Sequence, residues 1–242
     1  MLIILPPSET KAHGGTQGPL DLGSLMFPEL NPTREGIGKL LAALDPEEAL
    51  GVLKLSQKHR AEVEANTLLF SSPTLPAVER YTGVLYDALA APTLPDSARE
   101  RLAISSALFG VVSATDLIPH YRLSGTSRLA GATMKSHWGT ALRNVLTQLR
   151  ESGELIIDMR SGAYQNLGKV GGPGAITVRV ECVLPDGSRK VVSHFNKSYK
   201  GQLARVLALA PEPAASIADV ATCAEAAQMR VEVRGQELVL VV

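Results

Sequence analysis

Three short stretches carry residue types that could do chemistry. Ser8 and Lys11, in LPPSETK, have the Ser-x-x-Lys spacing used where an amine of lowered pKa activates a serine. The Ser-Asp-Asn and Lys-Thr-Gly motifs that complete such an acyl-transfer site are absent, which argues against an acylase. That spacing belongs to the first turn of a helix, and it also suits Ser8 and Thr10 hydroxyls binding backbone or phosphate oxygens beside a Lys11 point charge. A solvated strand exit fits the spacing equally. His120-Tyr121-Arg122, after Pro119, places an aromatic ring and a guanidinium at an edge. Arg122 there either grips a phosphate or carboxylate bidentately or pairs with Asp116. In HFNKSYKGQLARVL, Lys197 and Lys200 fall at a strand-to-helix junction with Ser198 available as a cap, the composition of an anion site or of an exposed helix start.

Other patterns fail on inspection. Gly36-Ile37-Gly38-Lys39 has one residue between its glycines and Leu40 after the lysine, so it is not a Walker loop. Pro28 and Pro32 argue against a helix running into those glycines, as a helix-hairpin-helix would need. His13, His59, His120, His137 and His194 share no ligand spacing, so no metal and no cofactor are expected. With no complete catalytic motif, no residue is assigned a catalytic role.

The elements that position these residues follow from pattern. Leu2–Leu5 reads as a short buried strand closed by proline. It is too short for an export signal and has no Lys or Arg ahead of it. Residues 12–32 read as a long loop. Asp45-Pro46 with Glu48 reads as a capping-box helix start, and Ser56 opens a second helix through Leu69. Residues 81–89 suit helix or strand, and Asp96 caps a short helix through Leu102. Residues 102–112 read as one buried strand entering a glycine turn, and 135–151 as the clearest long helix. A strand at 155–159 is followed by a hairpin pairing 175–184 with 190–195. Helices over 198–209 and 216–228 then precede a final hairpin around Arg234-Gly235-Gln236. Interleaved strands and helices without a fixed period predict a single mixed α/β (α+β) domain spanning residues 1–242, with a central mixed sheet flanked by helices.

Composition narrows the partners. The 24 basic and 24 acidic side chains cancel, so nucleic-acid binding requires a local patch rather than a global field. No apolar window reaches about 18 residues, which argues against a membrane span. Cys182 and Cys223, 41 positions apart, form neither a disulfide framework nor a zinc spacing. They read as buried, inert thiols in a reducing cytoplasm.

Several stretches together resemble the YaaA family, the bacterial peroxide-stress proteins. LPPSETK is similar to the family's S-P-A-K start, and YTGVLYDAL to its Y-x-G-x-V-Y-x-G-L. SALFGVVSATDLIPHYRL is similar to S-G-L-Y-G-V-L-x-P-x-D-x-I-x-P-Y-R-L, and SHFNKSYKG to S-F-Y-A-K-K-A-R-G. The W-G of SHWGTAL and the LIIDMRSGAY stretch also match. On these matches Ser8, Lys11, Gly83, Tyr86, Phe109, Gly110, Asp116, Pro119, Tyr121, Arg122, Trp138, Tyr164, Lys197, Lys200 and Gly201 take the family's positions. The resemblance implies a single mixed α/β domain with a positively charged cleft and a helix-hairpin-helix-like element. It also implies DNA binding and a role in limiting free iron and oxidative DNA damage. The family's Arg-Pro is Ser113-Ala114 here, its Glu after Y-R-L is Ser124, and its Lys-Lys is Lys197-Ser198, so two basic positions are lost. The leading expectation is a cytoplasmic protein gripping DNA phosphates without base specificity through Ser8, Lys11, Tyr121, Arg122, Lys197 and Lys200, with Arg128 and Lys135 as further contacts. The alternative is an enzyme acting on a small phosphorylated or nucleotide-like anion in the same cleft.

Overall fold

The computed structural model describes residues 1–191 and 196–242. Its strands in chain order are β1 (Leu2–Leu5), β2 (Thr74–Pro76), β3 (Leu102–Ser106), β4 (Gly110–Ser113), β5 (Leu117–Pro119), β6 (Arg128–Leu129), β7 (Ala132–Thr133), β8 (Ile156–Asp158), β9 (Ala175–Val183), β10 (Arg189–Val191), β11 (Val231–Arg234) and β12 (Glu237–Val241). An eight-stranded mixed sheet runs β11-β12-β9-β8-β1-β3-β4, with β10 paired to β9, and the small pairs β2-β5 and β6-β7 stand apart. The fold is mixed α/β, as the interleaved pattern predicts.

Five strands, β3, β1, β8, β9 and β12, are mutually parallel, with Ile3 opposite Leu102 on one side of β1 and Ile157 on the other. A central parallel strand is covered on both faces, which is why LIIL is apolar throughout and every residue of β1 is buried. The strand ends then share one edge of the sheet. β1 exits there into Pro6-Pro7-Ser8, β3 at Ser106 and β8 into Met159-Arg160-Ser161, and such crevices are where α/β sheets hold ligands. The main apolar cluster runs from Leu2 to Leu240, with a satellite of Ala49, Leu50 and Val63 beneath two helices.

Several expectations change. The run over 102–112 is two strands, because Gly110 at φ +74° turns the chain back and lets β4 pair antiparallel with β3. A Cβ on Gly110 would lie 2.8 Å from the Trp138 ring, so the glycine also makes room for that indole, whose Nε1 donates to the Ala107 carbonyl. The long helix over 135–151 is broken at Gly139 into Met134–Trp138 and Ala141–Glu151. Gly36 and Gly38 lie inside a continuous helix, Asn31–Ala42, because Pro32 sits in its first turn, where the missing N–H costs nothing. Gly38 is there for packing, since a Cβ would lie 2.8 Å from the Phe70 ring. Residues 84–89 are helical. Asp96 is the first residue of its helix, after Pro95, rather than its cap. Ser56 makes no side-chain cap, and a 3-10 turn, Gln57–His59, precedes the helix Arg60–Thr67. Ser216 caps Ile217–Ala226 with a reciprocal capping box through Asp219. Of the hairpin strand expected over 190–195, residues 192–195 lie outside the described part. Cys182 and Cys223 are partly exposed rather than buried. Among the described residues no helix is long and apolar enough to cross a membrane.

Candidate anion-binding cleft at the strand ends

Two cavities meet along the shared edge of the sheet. One, of about 370 Å³, is lined by Pro6 and Pro7 after β1, by Met159 and Ser161 after β8, by Tyr164, and by Asn196, Lys197 and Lys200 of the helix Asn196–Leu209. The other, of about 480 Å³, is lined by Leu53, Lys54, Arg122, Ser127 and Arg128. Glu9, Ser124 and Thr126 line both, so the two form one cleft. Its described lining holds five cations, Lys54, Arg122, Arg128, Lys197 and Lys200, and one carboxylate, Glu9.

The wall carrying Lys197 and Lys200 is set by Gly201. A Cβ there would lie 2.2 Å from the Leu85 carbonyl oxygen, so only glycine lets this helix approach the helix Val84–Leu89 so closely. Lys200 is buried and its Nζ donates to the Met159 carbonyl at 3.0 Å. Desolvation lowers its pKa to about 8, against the attraction of Asp158. That carboxylate is already occupied. Arg160, fully buried, donates from Nε and Nη2 to its two oxygens, each at 2.8 Å, and also to the Gly168 carbonyl.

The segment after β1 differs from the expectation. Ser8 and Lys11 do not form a dyad: the Ser8 hydroxyl pairs with the Thr10 hydroxyl at 3.0 Å, while Lys11 Nζ donates to the Ser8 and Glu9 carbonyls at 3.0 and 3.4 Å. No helix forms there, because Pro6 and Pro7 hold the exit extended and Lys11 bridges Tyr81 instead. Lys11 is buried, with Nζ 4.6 Å from the Tyr121 ring centre and 5.3 Å from that of Tyr81. Burial lowers its pKa to about 8. It lies behind the cleft and not in its lining.

Tyr121 is likewise interior. Its hydroxyl sits 2.7 Å from those of both Tyr81 and Ser106, and burial pushes its pKa well above the usual tyrosine value. Arg122 reaches the cleft but its charge is met, at 3.5 Å by Glu9 and 3.2 Å by Glu62, and it donates to the Glu9 carbonyl at 2.8 Å. Burial opposes the charge of Glu62, yet the His59 hydrogen bond and Arg122 hold its pKa below the usual carboxylate value. The alternative partner for Arg122, Asp116, is used elsewhere, accepting the Met26 and Ser113 backbone N–H groups. His120 is buried, stacks on His13 at 4.5 Å and, among the described residues, has no partner for Nδ1. Desolvation, with His13 and Lys11 beside it, lowers its pKa to about 4.

The structure thus brings Arg122, Arg128, Lys197 and Lys200 to one cleft; half-buried Ser8 falls between the lining residues Pro7 and Glu9 without lining either cavity, and Lys11 and Tyr121 are interior. Lys135 is exposed on the short helix Met134–Trp138 and lines neither cavity. Sequence reasoning missed Lys54, the turn residue at φ 55° between the helices Pro46–Val52 and Arg60–Thr67. Its only signal was the lysine between two helix-like runs. Glu9, Glu62 and the Asp158–Arg160 pair were also missed. Glu9 and Glu62 are not marked by any local pattern, since they meet Arg122 from other elements, and the Asp158–Arg160 pair, although only two residues apart, has a spacing that does not single it out. Among the described residues, no group of three or more His, Cys, Asp or Glu side chains is placed to hold a metal ion.

Comparison with known proteins agrees with the motif resemblance. The family model for the peroxide stress protein YaaA matches residues 1–226. The UPF0246 protein CE1889 of Corynebacterium efficiens is 60% identical over all of both chains. UPF0246 protein Cgl1995/cg2186 of Corynebacterium glutamicum is 56% identical over 96% of this chain and 95% of its own, and UPF0246 protein SCO2297 of Streptomyces coelicolor is 43% identical over 90% and 88%. A match along nearly the whole chain, with the cleft residues inside it, means that this protein belongs to the YaaA peroxide-stress (UPF0246) family.

Proposed function

We propose that the cleft holds the phosphates of DNA without reading its bases, and that the protein acts in the cytoplasm to limit oxidative damage to DNA. One observation carries this reading: five cations and a single carboxylate line two joined cavities in a chain whose net charge is zero. Local concentration of one sign in a concave site focuses the field where the whole molecule provides none. The helical pair Pro46–Val52 and Arg60–Thr67, whose turn presents Lys54 to the cleft, serves as the helix-hairpin-helix-like element expected of the family. Lys54, Arg128, Lys197 and Lys200 make the phosphate contacts. Arg122 instead fixes the loop to Glu9 and Glu62, and Lys11 supports the floor.

The test is duplex binding by fluorescence anisotropy at a fixed low salt concentration. Lys54→Glu combined with Arg128→Glu should weaken binding by roughly tenfold or more, equally for unrelated sequences. Unchanged affinity would sink the reading. The alternative, an enzyme acting on a small phosphorylated or nucleotide-like anion, draws on the cavity of about 370 Å³ that reaches a buried lysine, since small-ligand sites are concave and partly enclosed.

A further inference from the structure

The two deeply buried lysines are not equivalent in what they leave unsatisfied. Lys11 meets two carbonyls and two aromatic rings and lines neither of the two joined cavities. Lys200 lines the cavity of about 370 Å³, and among the described residues its ammonium has one hydrogen-bond acceptor, the Met159 carbonyl. An ammonium has three N–H groups to place, and the nearby Asp158 oxygens are taken by Arg160. A buried amine so poorly compensated gives up its proton readily, and a neutral amine facing a cavity is a nucleophile towards carbonyl carbon.

We propose that Lys200 is an imine-forming residue whose Nζ condenses, in this cavity, with the C1 aldehyde of a ring-opened 2-deoxyribose that carries phosphate. The inference rests on the phosphate-binding reading of the cleft: Lys197 and the basic lining beyond Glu9 hold the phosphate, which brings the sugar carbon to Lys200. Such an aldehyde is presented by an abasic site in DNA and by free 2-deoxyribose 5-phosphate, and the chemistry at C1 is the same for both. In the reaction, the nitrogen lone pair forms the N–C1 bond and the carbonyl π pair moves to oxygen. One amine proton passes to that oxygen to give the carbinolamine, which then loses its hydroxyl together with the remaining nitrogen proton as one water, leaving C1=N. No oxidant or reductant is consumed. A pKa near 8 leaves about a tenth of the amine neutral at pH 7, roughly 300-fold more than an ordinary lysine supplies.

The experiment incubates the full chain with sodium cyanoborohydride and either a duplex carrying one abasic site or 2-deoxyribose 5-phosphate, then maps the reduced adduct by peptide mass spectrometry. The expected result is an adduct on Lys200, reduced roughly tenfold or more in Lys200→Gln and unaffected by Lys39→Ala on the outer helix. Circular dichroism establishes that Lys200→Gln is folded. If that variant does not fold, the peptide map of the unaltered chain decides. Trapping with the duplex identifies DNA as the source, and trapping with the sugar phosphate alone identifies the small molecule. No adduct with either, or an adduct on another lysine, overturns the inference. Intact-duplex binding is measured in parallel. Binding without trapping removes the imine and keeps the phosphate cleft, whereas absence of binding removes the cleft reading itself.

Discussion

Lys11 and Lys200 are equally buried and have pKa values lowered alike, yet their surroundings are opposite. Around Lys11 the chain closes on the charge, with carbonyls from the β1 exit and the faces of Tyr81 and Tyr121. Around Lys200 the neighbouring charges pair with each other and, among the described residues, the lysine is left with one carbonyl and an open cavity. Burial and a shifted pKa alone therefore do not separate a supporting cation from a working one. The count of partners and the presence of space do. The N-terminal segment is closed by its own contacts, whereas the wall formed by β8 and the helix Asn196–Leu209 borders open space, which is what a ligand-receiving wall would need.

The comparison can be broken from the Lys200 side first. Asp158→Asn removes one partner of a fully buried bidentate pair and leaves Arg160 uncompensated. It should cost about 3–5 kcal/mol in urea unfolding, and a loss under 1 kcal/mol would mean that the pair does not organise this wall. Gly201→Ala forces a Cβ against the Leu85 carbonyl and should cost about 1–3 kcal/mol while displacing Lys197 and Lys200. Duplex binding in the folded variant should fall even though the Lys11 wall is untouched.

Paired methionine substitutions sharpen the contrast. Lys11→Met leaves the Ser8 and Glu9 carbonyls without their donor and should destabilise by about 1–3 kcal/mol, with DNA affinity unchanged in the folded protein. Lys200→Met should stay within about 1 kcal/mol of the parent at pH 7, because relief from burying a charge offsets one lost hydrogen bond, yet it should weaken binding. Equal effects on stability and binding from the two would erase the distinction.

A further contrast lies in pH dependence. Both lysines have folded pKa values near 8, below the unfolded 10.5, so between these values the unfolded chain binds more protons and stability rises with pH. Above about pH 10 the trend should reverse, because Tyr81, held up to about 12, and Tyr121 stay protonated when folded while the unfolded chain's tyrosines ionise. On the acid side, His120 at about 4 makes stability fall as pH drops from about 6.5 to 4. His120→Gln should flatten that acid limb without moving the alkaline one.

The sequence is legible here where a single local rule decides the outcome. Leu2–Leu5 is apolar throughout because a central parallel strand needs it, and the C-terminal hairpin follows from alternation around Arg234-Gly235-Gln236. The errors fall where glycine and proline have two meanings. Gly139 breaks a pattern that is helical on both sides, Gly110 turns a continuous apolar run into a hairpin, and Pro32 starts a helix it was expected to prevent. The cleft was half legible. Arg122, Arg128, Lys197 and Lys200 came from residue type and motif, but the pairing of Arg122 with Glu9 and Glu62, and the placing of Lys11 behind the surface, depend on elements 50 or more residues away. No spacing rule reaches across that distance.

The most direct measurement is the affinity for a random-sequence duplex across a salt series. With Lys54, Arg128, Lys197 and Lys200 each neutralising a phosphate, log Kd plotted against log salt should have a magnitude of slope of about 3–4, dropping by about 1 for each lysine or arginine replaced. A slope near zero, or no binding at low salt, would contradict the assignment of this cleft to DNA phosphates.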